Sequence, residues 1–347
     1  MVVKFGTGIL TSRSKQIDPG QIEQLVAQVA AQRQAGREII VVSSGAVGAG
    51  MGVLAMDKRP TDLSDLQACA AVGQSQLMST YTKLFARHNM QVAQVLLTHD
   101  DLEHQERHLN ARNTLVSLLD KGVVPIVNEN DAVSYTELKF GDNDWLAALV
   151  ACLLPADLLV VLTTVDGLVE NFGKKNPRTI PLVETIDADI KKLAGGTLSA
   201  TAVGGMEAKL RAAKMTARTG IPLVIASGKK KRVLANIIDG RDEGTFFTPR
   251  PGRLKGRKRR IAFFHHPKGS LWVDNGAREA LRDKSKSLLP PGVAKCNGDF
   301  ANGDVVRLCD INGTEFARAI SRFDADEIRA RKLKGIEIVH RNDLVIL

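Results

Sequence analysis

Short apolar segments alternate with amphipathic segments up to about residue 240, and this alternation restricts the fold more than any other feature. Apolar runs of this length, bounded by turn residues, are typical of strands buried on both faces of a parallel sheet. The amphipathic segment PGQIEQLVAQVAAQRQAG carries apolar residues at helical spacing and ends in Gly36, which predicts a helix. We therefore predict a three-layer α/β fold with a mainly parallel central sheet. The apolar runs are EIIVVSS (38–44), QVAQVLL (91–97), VVPIVN (123–128), DLLVVLTT (157–164) and IPLVIAS (221–227).

The character of the sequence changes after a basic segment, RPGRLKGRKRR (250–260). Beyond it, apolar and polar residues alternate around Gly and Asn turns, and INGTEF is typical of a hairpin. We predict a catalytic domain over 1–245, a linker over 246–260 and a small β-barrel domain over 261–347. The basic run could neutralise nucleic-acid phosphates, but it lacks aromatic residues for base stacking, which favours a solvated linker.

Composition indicates a chain of ordinary globular character, with 44% hydrophobic and 25% charged residues and a formal net charge of +10. Its most apolar run (145–165) is interrupted by Pro155 and Asp157, so we expect no membrane span. Met1 leads directly into VVKFGTGIL, which is typical of a strand and turn, so we also expect no signal peptide. The four cysteines lack CxxC spacing, which argues against a zinc site and for a reducing, cytoplasmic location.

Two lysines stand beside glycine turns in positions suited to anion binding. Lys4 ends the first predicted strand, directly before FGTG, and Lys209 lies one turn inside the helix that follows Gly204 and Gly205. Helix side chains tilt towards the N-terminus, so Lys209 can reach back over that turn, where backbone amides attract anions. Either lysine taken singly is more simply interpreted as a surface residue. The chain has no GxxxxGK[ST], GxGxxG, GxSxG or HExxH motif.

A polar segment, IVNENDAVSYTELKFGDND (126–144), follows a predicted buried strand, at the place where α/β enzymes bind ligands. Phosphoryl transfer needs positioning and cations to neutralise the charge of the transition state. A carboxylate acceptor is already ionised at neutral pH and needs no general base. Well-placed lysines without an obvious histidine base therefore permit carboxylate phosphorylation, although they do not select it.

Seven motifs occur in an order that resembles the glutamate 5-kinases of the amino acid kinase family. They are VVKFGTG, VVSSGAVGAG, LNARNTL, VNENDAV, KFGDND, LTTVDGL and GGMEAKL. The tail segments SLLPPGVAKCNGDFANGDVV and VHRNDLV resemble the PUA module. The resemblance covers nearly the whole chain and implies the amino acid kinase fold followed by a PUA-like barrel.

The resemblance implies ATP-dependent phosphorylation of the γ-carboxylate of L-glutamate to L-glutamyl 5-phosphate, the first step of proline biosynthesis. It further implies Mg²⁺ on the nucleotide phosphates, a homodimer or homotetramer, feedback inhibition by proline, and a separate glutamyl phosphate reductase. No metal site built from protein ligands is expected, since His104 and His108 lack a third partner. RNA is a further predicted partner, through the PUA-like domain.

The resemblance also implies roles for individual residues. Lys4 and Lys209 would contact the phosphates, and Asp144, with its neighbour Asp142, would orient the lysines. Substrate-binding roles fall on Ser44, Gly45, Asn128, Asp131 and Asn143. ATP-binding roles fall on Lys4, Thr163, Thr164, Val203, Gly204, Gly205, Met206, Glu207, Ala208 and Lys209.

The chain departs from the family pattern in the nucleotide-binding region. Thr164 stands where the family usually has Asp, and VENFGKKNP (169–177) replaces a segment with Tyr and an Asp-Pro pair. These departures bear on the adenine or ribose contacts. Two alternatives stay open: an RNA-binding PUA protein with a degenerate kinase core, and a related kinase for N-acetylglutamate, aspartate or carbamate. The NENDAV segment and the tail disfavour the related kinases.

Overall fold

The structure, a computed structural model, describes residues 1–11, 17–133, 143–173, 175–194, 205–250, 254, 256–331, 333 and 335–347. It divides the chain into two compact units, Met1–Arg253 and Leu254–Leu347. The division falls inside the segment 246–260 that the sequence predicts as a linker. Regular elements extend into that segment from both sides: Thr245–Phe247 is a strand of the first unit, and Gly256–Phe263 is a helix of the second.

The first unit is built on a sheet whose order, among the described residues, is β3-β4-β2-β1-β5-β9-β10-β8. Neighbouring strands are parallel apart from the antiparallel pair β9–β10, which confirms the predicted mainly parallel sheet. Strands β6 and β7 form a separate antiparallel pair. The strands are β1 Val2–Phe5, β2 Ile40–Ser43, β3 Val92–Leu97, β4 Val124–Glu129, β5 Leu159–Thr163, β6 Val169–Glu170, β7 Arg178–Thr179, β8 Leu182–Val183, β9 Leu223–Ser227 and β10 Thr245–Phe247.

Helices connect and cover these strands. The predicted helix at residues 19–36 begins where Asp18 accepts a hydrogen bond from the Gln21 amide, and Gly36 follows its end with a φ of 81°. The helices are α1 Thr7–Leu10, α2 Pro19–Gln34, α3 Ala46–Val53, α4 Leu63–Ala86, α5 His99–Glu103, α6 Gln105–Asp120, α7 Asn143–Leu153, α8 Ala188–Ala194, α9 Met206–Arg218 and α10 Val233–Ile238.

Glycines bring α3 and α4 into backbone contact. A Cβ atom on Gly50 would lie 1.8 Å from the carbonyl oxygen of Cys69, and one on Gly73 would lie 1.8 Å from that of Ala46. Only glycine permits so close an approach. The contact fixes the position of α4, which carries two polar side chains, Gln74 and Tyr81, that bear on the candidate site.

The parallel strands direct their carboxyl ends to one edge of the sheet. In the register, Phe5 pairs with both Ser43 and Leu162, and Thr163 pairs with Ser227. The segments that follow β1, β2 and β5 therefore begin side by side, and the side chains at these strand ends lie close together. Open α/β sheets bind ligands at this edge.

The second unit contains a mainly antiparallel sheet with the order β12-β11-β13-β14-β15. The predicted hairpin at INGTEF joins β13 and β14, and its Gly313 has a φ of 85°. Basic residues 257–260 lie on a helix rather than in a linker, because the following Ile261 and Ala262 are buried against this sheet. Its elements are α11 Gly256–Phe263, β11 Gly269–Val273, α12 Asn275–Arg282, β12 Val293–Gly298, β13 Val305–Cys309, β14 Glu315–Ile320, α13 Ala325–Arg329 and β15 Leu344–Ile346, with 3-10 turns at Pro290–Gly292 and Arg341–Asp343.

A search of the described residues for membrane-spanning helices found none with the length and apolar character to cross a bilayer.

Candidate active site

Two lysine ammonium groups meet a single buried carboxylate. Lys4 Nζ lies 2.6 Å from Asp144 Oδ1, and Lys209 Nζ lies 2.8 Å from Asp144 Oδ2. The exposed fractions of the three residues are 6%, 2% and 8% for Lys4, Asp144 and Lys209. Strand β1 supplies Lys4, the first turn of α7 supplies Asp144, and the first turns of α9 supply Lys209. Three distant segments therefore converge on one charged centre.

The lysines keep Asp144 ionised. Burial raises the pKa of this carboxyl, but the charges of Lys4 and Lys209 and their hydrogen bonds outweigh burial and hold the pKa below its ordinary value of 3.8. The buried Asp144 carboxylate forms ion pairs with two ammonium groups, so one negative charge faces two positive charges. The centre therefore has a net positive charge that suits a polyanionic ligand.

Asn143, next to Asp144, ties this centre to the ends of two strands. Its Nδ2 atom lies 3.1 Å from the Ser43 carbonyl oxygen, 3.0 Å from Ser44 Oγ and 3.1 Å from Asn128 Oδ1. Helix α7 begins at Asn143, which places this amide in the first helical turn. The structure thus brings three predicted substrate-binding residues together.

Tyr81 contacts the end of β2 next to these residues, and it was not predicted from the sequence. Its hydroxyl lies 2.8 Å from Ser43 Oγ, which lies 3.1 Å from the Ser44 carbonyl oxygen. Tyr81 is fully buried, and burial raises its pKa, so the phenol stays neutral. The contact joins residues 38 positions apart in the sequence, and no local spacing signals it.

A cavity of about 380 Å³ is lined in part by Asn130 and Asp131. Gln74, Glu129 and Asp131 are among its lining residues, and the Asn128 amide bonds to Gln74 at 2.8 Å. Gly45 caps α3 with a φ of 96°, a left-handed conformation that glycine adopts without strain. The cavity therefore adjoins the predicted substrate-binding residues.

The predicted nucleotide-binding residues lie at the ends of β5 and α9. Thr163 ends β5 and accepts a hydrogen bond from the Gly228 amide at 2.9 Å. Thr164 lies close to Gly8 of α1, since a Cβ on Gly8 would lie 2.8 Å from the Thr164 Cγ2 atom. Gly205 caps α9, whose first turn contains Met206, Glu207 and Ala208. Asp142, Val203 and Gly204 lie outside the described residues.

The described residues contain no group of three His, Cys, Asp or Glu side chains that could hold a metal ion. Both carboxylate oxygens of Asp144 already contact lysines. His108 Nδ1 lies 3.0 Å from the Leu102 carbonyl oxygen.

Comparison with known proteins gives two family matches. The model described as "Amino acid kinase family" matches residues 1–227, and the model described as "PUA domain" matches residues 269–341. The fold resembles that of a carbamate kinase from Giardia lamblia bound to AMP-PNP, with a TM-score of 0.53 and 18% identity over 72% of this chain and 98% of that one. That likeness concerns the fold alone.

Full-length relatives are similar at higher identity. The chain is 44% identical to a glutamate 5-kinase of Geobacter sulfurreducens, over 100% of this chain and 97% of the relative. It is 43% identical to a glutamate 5-kinase of Methylococcus capsulatus, over 100% of this chain and 96% of the relative. A glutamate 5-kinase of Pseudomonas putida is 42% identical, again over 100% of this chain and 97% of the relative.

Proposed function

The chain belongs to the amino acid kinase family, and we propose that it phosphorylates the γ-carboxylate of L-glutamate with ATP. The product is L-glutamyl 5-phosphate, which enters proline biosynthesis. The observation that carries the proposal is the pair Lys4 and Lys209 on the buried carboxylate of Asp144. Full-length similarity to glutamate 5-kinases supports the choice of acceptor.

The chemistry needs cations rather than a base. An oxygen of the γ-carboxylate attacks the γ-phosphorus of ATP, the bond to the bridging oxygen breaks, and ADP leaves with that oxygen. Negative charge spreads over the transferred group in the transition state. Lys4 and Lys209 supply two positive charges, and Asp144 holds both ammonium groups in place. Since the acceptor carboxylate is ionised at neutral pH, no proton has to be removed.

The acceptor is held, in this proposal, by the polar residues around Asn143. Ser44, Asn128 and Asn143 already form one hydrogen-bonded group, and Asp131 lines the adjoining cavity. Gly45 lets the chain turn into α3 beside Ser44. Asp142 is proposed as a further contributor on the family resemblance.

The nucleotide would lie against the ends of β5 and α9. Thr163, Thr164 and the segment from Val203 to Lys209 are proposed to contact it, and the α9 N-terminus suits its phosphates. Mg²⁺ is proposed to arrive with the nucleotide phosphates as part of the substrate, because Asp144 is engaged by lysines and no protein cluster of metal ligands lies among the described residues.

Further parts of the proposal rest on the family resemblance. They are a cytoplasmic location, a homodimer or homotetramer, inhibition by proline, and a separate glutamyl phosphate reductase that consumes the product. Binding of RNA by the PUA-like domain also stays a prediction. An RNA-binding protein with a degenerate kinase core is disfavoured, because Lys4, Asp144 and Lys209 form a complete charged centre.

The proposal is tested with ATP, Mg²⁺ and each acceptor in turn, with the acyl phosphate trapped by hydroxylamine. We expect ADP and the γ-hydroxamate from L-glutamate, and much less product from L-aspartate, N-acetyl-L-glutamate or carbamate. Turnover with one of those three and none with L-glutamate would overturn the choice of acceptor. No turnover with any of them, from folded protein, would overturn the kinase assignment.

A further inference from the structure

Four side-chain amides form a chain of hydrogen bonds that leads from the lysine centre into the cavity. Asn143 Nδ2 donates to Asn128 Oδ1 at 3.1 Å, and Asn128 Nδ2 donates to Gln74 Oε1 at 2.8 Å. Gln74 Nε2 then donates to Gln94 Oε1 at 3.1 Å. Gln74 and Gln94 both line the cavity of about 380 Å³. Helix α4 therefore takes part in a network that includes the predicted substrate-binding residues.

Two backbone groups set the direction of this chain. The Ser43 carbonyl can only accept, so the Asn143 atom beside it is the nitrogen. The Glu129 amide can only donate, and it donates to Asn128 Oδ1 at 3.0 Å. Asn128 therefore presents its nitrogen to Gln74, which must accept with its oxygen. The nitrogen of Gln74 is left on the opposite side of the amide.

That nitrogen has a second hydrogen to donate. A primary amide carries two N–H donors. Gln74 donates one of its two hydrogens to Gln94 Oε1. Among the contacts within the described part of the chain, the second donor has no acceptor. Gln74 is only 8% exposed, so bulk water reaches this side chain poorly. A ligand oxygen in the cavity is a suitable partner, since buried donors are normally paired.

We propose that Gln74 donates this hydrogen to the α-carboxylate of the amino-acid acceptor. Glu129 and Asp131 line the same cavity, and their carboxylates suit the neighbouring α-ammonium group. A small molecule that carries both groups matches this pairing of an amide donor with acidic residues, and the cavity is of a size that small ligands occupy. The inference rests on the proposed function and adds a substrate-binding residue to it.

The experiment measures the KM for L-glutamate and the KM for ATP in Gln74→Met, which keeps the length of the side chain and removes its polar atoms. Loss of a hydrogen bond to a carboxylate predicts a glutamate KM about 10-fold to 100-fold higher. The KM for ATP stays within about twofold. Gln74→Glu keeps the acceptor and replaces the donor with a negative charge, so its glutamate KM rises at least as far.

Gln76→Glu is the matched control, because Gln76 is an exposed residue of the same helix and does not line the cavity. It adds the same charge and is expected to leave both KM values unchanged. 4-Aminobutyrate, the same acceptor without the α-carboxylate, is tested as a competitive inhibitor. Its inhibition constant is expected to stay within about twofold in Gln74→Met, since this molecule lacks the group that Gln74 binds.

Two results would overturn the role of Gln74. One is a glutamate KM in Gln74→Met within twofold of wild type, and the other is an equal rise in the glutamate KM and the 4-aminobutyrate inhibition constant. If 4-aminobutyrate does not inhibit wild type, the glutamate and ATP KM values decide alone. Failure of the proposed function is a different result, in which wild type itself shows no glutamate-dependent turnover.

Discussion

Replacing Asp144 with Asn removes the one negative charge between two buried ammonium groups without changing the size of the side chain. Lys4 and Lys209 lie 2.6 and 2.8 Å from its oxygens, and Asp144 is 2% exposed. Loss of one partner from a buried ion pair destabilises a protein by about 3–5 kcal/mol. For a unit of this size, about 1 kcal/mol corresponds to roughly 2–4 °C. We therefore expect the Tm of the first unit to fall by roughly 6–20 °C.

Activity should fall as well. Two lysines that repel each other no longer hold the geometry that the transition state needs, and loss of one well-placed donor costs about 10²–10³-fold in kcat. We expect Asp144→Asn to lose at least about 10²-fold in kcat. Adding Lys4→Met removes one of the two positive charges that Asp144 neutralises, so the double variant should recover part of the Tm while it stays inactive.

Asp189→Asn is the matched control. Asp189 pairs with Lys192 at 2.8 Å, a similar distance, but its side chain is 84% exposed. Exposed pairs contribute about 0–1 kcal/mol, so the Tm and kcat should hardly change. Calorimetry and the hydroxamate assay provide the two readouts. The reasoning is refuted if Asp144→Asn behaves like Asp189→Asn in both.

The same carboxylate makes stability depend on pH. The folded protein lowers the pKa of Asp144 below 3.8, so its contribution is complete above that value and is lost as the pH falls through the folded pKa. Urea unfolding of wild type and Asp144→Asn should therefore give free energies of unfolding that differ most above pH 3.8 and converge below it. A gap that widens on acidification would contradict this sign.

Two further substitutions test contacts that support the site. Gly50→Ala should destabilise the protein by about 1–3 kcal/mol, because the added Cβ would lie 1.8 Å from the Cys69 carbonyl oxygen. Gly20→Ala is the control, because the nearest atom to its added Cβ lies 3.5 Å away. This substitution should be neutral or should stabilise the protein by about 0.5–1 kcal/mol. The urea unfolding midpoints of the two variants are compared, and equal midpoints would contradict the close approach of α3 and α4. Tyr81→Phe should cost about 0.5–1.5 kcal/mol through the lost bond to Ser43, and an unchanged midpoint would contradict that role.

The sequence predicted the sheet because its central strands are buried on both faces. Ile40–Ser43, Leu159–Thr163 and Leu223–Ser227 fall inside the predicted apolar runs. Such runs have a local cause, the exclusion of polar side chains from both sides of a strand. The contacts of the Asn143 side chain with Ser43 and Ser44 have no such local cause, since they join residues 100 and 99 positions apart in the sequence.

Part of the site also followed from local patterns. The positions of Lys4 at a strand end and of Lys209 inside a helix were confirmed, and the family resemblance supplied Asp144 as their partner. Tyr81 and Gln74 could not be found this way. Their contacts join residues 38 and 54 positions apart in the sequence. In the sequence alone, each is an ordinary helix residue, because the contacts form only when α4 packs near the sheet.

Comparing wild type with Lys209→Ala, in the hydroxylamine assay with L-glutamate, ATP and Mg²⁺, tests directly whether phosphoryl transfer depends on the lysine centre. We expect γ-hydroxamate from wild type and at least about 10²-fold less from the variant, since Lys209 supplies one of the two positive charges. Equal yields would show that transfer does not depend on this centre. No γ-hydroxamate from folded wild type would contradict the phosphorylation of glutamate itself.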